Sequence, residues 1–282
     1  MTLAVLLGLG AAIGYGIGDF LAGIYCRRHG TLIVLVICAV GGLLAVLLAI
    51  HWMVPSTVAL SDLAWGALFG IAGFCGGGLL YQGFRVGRLS VVTPISSLAG
   101  AGIPLIVDLL LDVALTLPAL LGMLMGLAAI WLISTGTPET RNGKRSLAAG
   151  LGYGLGAGVG FAMAFLAISQ ADPASGAWPV LAGQASLFIA AVAFVLALGL
   201  KPSVPLSALP GIMAIGALGG LGTISFLFAA HIGLVSVAAV IASLSPGVTV
   251  ILARCFLAEL LPWRQIAGLL IALAALVLIS LG

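Results

Sequence analysis

Asp19 is the carboxylate most open to a chemical reading: it lies inside an apolar run over residues 3–24, directly after a glycine stripe at Gly10, Gly14 and Gly18. A charge at membrane depth is costly and faces a cavity, a partner or a proton path. Asp19 is therefore either a proton-coupling group, neutralised in one of two states, or a structural acid near the cytoplasmic edge that pairs with Arg27 or Arg28 or caps a neighbouring helix. Thr93, Pro94 and Ser97 in one apolar run, and Ser243, Ser245 and Pro246 in another, form a second group. Proline removes a backbone donor and frees carbonyls in the preceding turn, which membrane helices tolerate beside a cavity. The two segments are expected to line a cavity, with Pro94 and Pro246 as hinges, against the plainer alternative of kinks satisfied by their own Ser and Thr. Tyr15, Gln82 and Gln184 add neutral hydrogen-bonding groups inside apolar runs, although Gln82 equally suits an interfacial anchor. Catalysis would need converging acids, histidines or a metal site. The runs hold one clear carboxylate and no histidine cluster, and the four cysteines form no C-x-x-C, so no catalytic residue, cofactor or metal is expected.

These residues sit in a chain that water cannot dissolve as a globule. Of 282 residues, 63% are hydrophobic and 6% charged, against about 25% charged in ordinary soluble domains. Ten runs approach the roughly 20 residues that a spanning helix requires, at 3–24, 31–50, 62–82, 90–111, 115–135, 147–168, 177–198, 207–228, 235–253 and 264–281. Barrel strands would be about half as long and would alternate with polar residues. The expected fold is an all-α integral membrane protein of ten transmembrane helices. No basic residue precedes Leu3, so the first run reads as a span and not a signal peptide.

All ten Lys and Arg residues fall in or beside the odd-numbered connections, whereas the even-numbered ones hold only Asp62, Asp108, Asp112 and Asp172. Short cytoplasmic loops accumulate Lys and Arg. The odd-loop face is therefore expected to be cytoplasmic and both termini outside, in a multi-pass protein of the inner (plasma) membrane.

The sequence also repeats. A shift of 146 residues matches Gly87 with Gly233, Ser97 with Ser243, Gly122 with Gly268 and Ile133 with Ile279. Near the start of each half, a shift of 142 superposes Gly10, Gly14 and Gly18 on Gly152, Gly156 and Gly160, and sets the apolar Phe161 opposite Asp19. Such stripes let helices approach closely in lipid. The halves are expected at 1–136 and 147–282, joined by a loop over 137–146. Five spans per half force the second copy to enter the membrane from the opposite side. Inverted repeats of this kind are common in secondary transporters. Asp108 and Arg254 are equivalent in this register and read as interfacial anchors at opposite faces.

The segment Leu80-Tyr81-Gln82-Gly83-Phe84-Arg85-Val86-Gly87-Arg88-Leu89-Ser90-Val91-Val92-Thr93-Pro94-Ile95 and its second copy, Gly233 to Ala239 and Ser243 to Pro246, resemble the EamA family of the drug/metabolite transporter superfamily, as does Glu259 followed by Gly268. The resemblance covers nearly the whole chain. It departs at the loop acid, since Asp112 stands ten residues before Gly122 and Glu259 nine before Gly268. It implies a ten-helix bundle with a central cavity that moves amino acids or other small metabolites, usually outward. The expected function is a secondary transporter exporting a small neutral or zwitterionic metabolite by alternating access, possible proton coupling included. The alternatives are a non-transporting membrane scaffold or a membrane-embedded enzyme. Expected partners are the substrate and the lipid bilayer, with no nucleic acid and a monomer as the working unit.

Overall fold

Long, unbroken apolar sequence becomes helix because lipid offers no partners to backbone N–H and C=O groups, so each segment must satisfy its own. The computed structural model describes residues 2–51, 57–86, 89–135, 147–200, 204–257 and 262–281. Its helices are α1 (Thr2–His29), α2 (Thr31–His51), α3 (Leu60–Val86), α4 (Leu89–Leu110), α5 (Leu117–Thr135), α6 (Leu147–Ile168), α7 (Trp178–Ala197), α8 (Leu209–Ile232), α9 (Val235–Ala242), α10 (Ser245–Leu257) and α11 (Trp263–Leu281). Among the described residues, nine helical segments are long and apolar enough to cross a membrane, with α9 and α10 together making one of them. Ten were expected; the apolar stretch of α4, Ile95–Leu110, is shorter than the others.

Glycine ends two of these helices where a side chain could not. Gly30 and Gly199 have φ of 81° and 61°, the left-handed conformation that closes a helix C-terminus at little steric cost. Elsewhere a polar clasp sets the geometry. At the start of α3, Asp62 accepts the Asp172 N–H at 3.2 Å and the Ser175 hydroxyl, which ties α3 to the α6–α7 connection.

The expected hinge at Pro246 coincides with a break, and the one at Pro94 does not. α9 tightens at its end, where Leu244 N–H bonds Ile241 O at 3.1 Å and Gly247 N–H bonds Leu244 O at 2.8 Å. Pro246 has no N–H to offer Ala242, so the ladder stops there. α4 instead runs through Pro94, which stands in its second turn, close enough to the helix start that few bonds are at stake.

Two packed groups emerge. α3, α4, α6 and α7 form one, with α6 lying against both α3 and α4; α1, α2, α8, α9 and α10 form the other, with α1 lying against α8 and α10. α5 pairs with α11, and the groups meet where α2 touches α7 and α4 touches α9.

Contacts in one group reappear in the other under a shift of 145–146 residues. Gly14 faces Leu218 O and Gly222, and Gly160 faces Ala72 O and Gly76; each number in the first set rises or falls by 146 to give the second. Gly8 against Ile241 and Gly154 against Ile95 repeat the relation. Between α2 and α8, Gly216 meets the Cys38 carbonyl, as Gly70 of α3 meets the Gly183 carbonyl of α7. Gly122 of α5 lies on Ile279 near the end of α11, while Gly268 near the start of α11 lies on Ile133 near the end of α5. α5 and α11 therefore run antiparallel.

The register of the first helices differs from the sequence expectation. Contacts align α1 with α6 by 146, not 142. The difference is four residues, about one helical turn, and a stripe of glycines four apart matches itself after such a slip. The residue equivalent to Asp19 is thus Phe165 instead of Phe161.

Candidate functional site

α1 shows two contact sides and one that meets nothing. At about 100° per residue, Gly14 and Gly18 turn one side toward α8, where they approach Leu218 and Ile215. Gly16 turns another toward α10, against Ser245 and Val248, and Phe20 meets Phe256 there with ring centroids 6.2 Å apart. Lipid faces a third side, marked by Leu6 and Ile13 at 59% and 48% exposure. Asp19 falls between the α8 and α10 sides, roughly 120–140° from the lipid side. It is nonetheless exposed. An exposed carboxylate that points between two packed helices, away from lipid, lines an interior space. Gly23, one turn further and also exposed, has no heavy atom within 4 Å of where a Cβ would stand.

Tyr15 lies one turn before Asp19 and reaches across to α8, with its hydroxyl 3.0 Å from Thr223 Oγ1. Thr223 uses its own proton on Gly219 O at 2.9 Å. With the Thr223 proton on Gly219 O, Tyr15 is the donor to Thr223 and its oxygen lone pairs remain able to accept from a ligand; either hydroxyl can donate across the pair. On the other flank, Thr249 donates to Gly16 O at 2.9 Å, so the helix after the break is stitched to α1. Tyr15→Phe and Thr223→Val should each cost roughly 1 kcal/mol of stability, and the double variant no more than one of them. Thermal unfolding in detergent micelles tests this, and additive costs would contradict the bond.

Toward the even-loop face this space is shut. Phe165 of α6 stacks on Phe226 of α8 with centroids 4.4 Å apart. Ser236 to Leu244 are buried without interruption, and Asp108 of α4, 7% exposed, accepts Ser236 N–H at 3.2 Å. Asp108 is thus a buried cap on α9 and not the interfacial anchor that its position suggested, because α4 carries it against the start of that helix.

Comparison with known proteins bears on this arrangement. Residues 148–281 match the EamA-like transporter family. This segment belongs to that family. Its members are membrane transporters of the drug/metabolite type, and the EamA-like segment here spans α6 to α11, including the break at Ser243–Ser245. An uncharacterized protein of Methanocaldococcus jannaschii is 29% identical over 137 residues, which are 48% of this chain and 98% of that protein. A crystal structure of a protein superposes with a TM-score of 0.74 at 16% identity, covering 100% of this chain and 97% of the other. That likeness carries the fold.

Of the residues expected to form a site, Tyr15 and Asp19 lie one turn apart on α1, and the break carrying Ser243 and Ser245 meets that helix where the Ser245 carbonyl approaches Gly16. Ser243, 9% exposed, caps α9 within the EamA-like segment. Gln82 and Ser97 are half-buried on α3 and α4, the helices that flank α6 as α8 and α10 flank α1. Gln184 goes elsewhere: it is 7% exposed in the seam of α2, α7 and α8, its Oε1 2.5 Å from where a Cβ on Gly42 would stand. The backbone of Thr93 and Pro94 is helical, while their side chains, like Glu259, lie outside the described residues. Thr223 was missed. Its signal was available, as a hydroxyl inside a span, but only its reach to Tyr15 distinguishes it from any serine or threonine bonded to its own helix.

Proposed function

We propose that this protein is a secondary transporter that moves a small neutral or zwitterionic metabolite, such as an amino acid, outward by alternating access. In this reading ten spans form two inverted halves, 1–136 and 147–282, joined by 137–146. The contact set that maps onto itself under a shift of 145–146 residues is the observation that carries it. Antiparallel α5 and α11, equivalent helices in the two halves, support the inversion. The family match beginning at residue 148 and a relative of half this length both support a unit of one half.

Inverted halves give such a chain two related conformations, because each half can adopt the other's arrangement. Tyr15, Asp19 and the break at Ser243–Ser245 supply the interior polar groups, with Asp19 as coupling residue and Pro246 as hinge. The carboxylate of Asp19 beside this space suits an amine-bearing or neutral cargo better than a strongly anionic one. The odd-loop face is taken as cytoplasmic from its Lys and Arg, so the space around Asp19 opens inward in the conformation described.

Reconstitution into liposomes with a broad metabolite mixture, with and without a pH gradient, tests the reading. We expect accumulation of amino-acid-like solutes above protein-free vesicles. No movement of any solute under either condition would end it.

A further inference from the structure

We propose that Asp108 is the latch of the even-loop gate and that the repeat gives the opposite gate a charge of the wrong sign, so that the chain rests open to its odd-loop face. The proposal rests on the alternating-access reading above.

Asp108 belongs to α4 in one packed group, and its hydrogen-bond partner, Ser236 N–H, belongs to the first turn of α9 in the other. The contact therefore crosses the line along which the groups would part. The first N–H groups of a helix have no partner within it and carry the positive end of its dipole, so a buried carboxylate there gains both a hydrogen bond and a favourable charge. The surroundings are already closed: Ser236 is 0% exposed and its hydroxyl has no partner. A second cross-group contact, the Phe165–Phe226 stack, seals the same half of the membrane. Opening the even-loop face must break both.

The shift of 146 assigns the mirror-image contact. Ser236 corresponds to Ser90, in the first turn of α4, and Asp108 corresponds to Arg254 on α10. Exchanging the halves' conformations would bring Arg254 to the N-terminus of α4, where a cation meets the positive end of the dipole and offers donors to donors. Phe165 and Phe226 correspond to Asp19 and Leu80, so the aromatic seal has no equivalent either. The closing interactions are strong at one face and unfavourable at the other.

The test reads which face admits water. Cys26, Cys38, Cys75 and Cys255 are replaced by Ala, and a single reporter cysteine is placed at Ala230, 7% exposed beside the aromatic seal, or at Gly23 in the open space. Labelling by a membrane-impermeant maleimide is followed from each side of proteoliposomes. A230C should react slowly in the parent, and Asp108→Asn or Asp108→Ala should raise its rate from the even-loop side by about tenfold or more, as expected for a lost charge-assisted bond. Arg254→Asp should act in the opposite sense at the other gate and slow G23C labelling from the odd-loop side. Unchanged A230C rates in both Asp108 variants, or a rise only from the odd-loop side, overturn the proposal. The outcome does not depend on cargo: a protein that shows these shifts yet moves no metabolite would remove the transport reading and leave the gate.

Discussion

Asp19→Asn should abolish accumulation driven by a pH gradient while leaving solute exchange across the membrane intact. The amide keeps the size and polarity of the carboxylate but can neither release nor take up a proton. One proton moving down a pH difference of one unit provides about 1.4 kcal/mol, enough for roughly tenfold accumulation. That factor is what the variant should lose. Exchange should persist because Tyr15, Thr223 and the break beside α10 remain in place, and because exchange needs only that the loaded protein change conformation. The position of Asp19 makes the prediction sharp, since the residue is exposed on a side of α1 that faces neither lipid nor a packed helix. Proteoliposomes loaded with labelled solute, with and without a gradient, separate the two activities. Accumulation unchanged in the variant would reduce Asp19 to a structural acid, and loss of exchange together with accumulation would instead make it a binding residue.

Much of this was legible in the sequence because membranes enforce simple rules. Among the described residues the apolar runs fall on helical segments, nine of them long and apolar enough to span, since a span must be long, apolar and internally bonded. The 146-residue repeat was visible wherever the residues were distinctive, as at Ser97 and Ser243 or Gly122 and Gly268. It slipped where they were not. A stripe of glycines at every fourth position fits itself after one turn, and only contacts such as Gly14 with Leu218 and Gly160 with Ala72 decide the register. The two prolines show a second limit. Proline chemistry announces a disturbed ladder at Pro94 and Pro246 alike, but its effect depends on distance from the helix start, and only Pro246 divides a span. Which polar groups meet was least legible. Gln184 and Thr223 are both polar residues inside spans, yet one fills a packed seam and the other bonds Tyr15 across helices, because side-chain destinations depend on helix rotation, which composition does not encode.

The repeated contacts carry a second large expectation, and it concerns stability. Gly70→Ala and Gly216→Ala should each destabilise the protein severely and by similar amounts. A methyl group at either position would collide with a backbone carbonyl, that of Gly183 for Gly70 and that of Cys38 for Gly216. Backbone cannot rotate aside as a side chain can, so the helices must separate. Small residues are what allow such close approach in lipid, where packing and not hydrophobicity holds helices together. Overpacking of this kind costs about 1–3 kcal/mol and sometimes more, which for a chain of this size corresponds to a fall in Tm of roughly 2–10 °C. Gly23→Ala provides the control, since nothing stands within 4 Å of the added methyl group, and its Tm should match the parent within a degree or so. Thermal unfolding in nanodiscs gives all three values. The similarity of the two large effects is the informative part: Gly70 with Gly183 and Gly216 with Cys38 are one contact made twice, once in each packed group. If only one substitution proved harmful, the two contacts would not be equivalent, and the case for two halves built on the same plan would lose its strongest support.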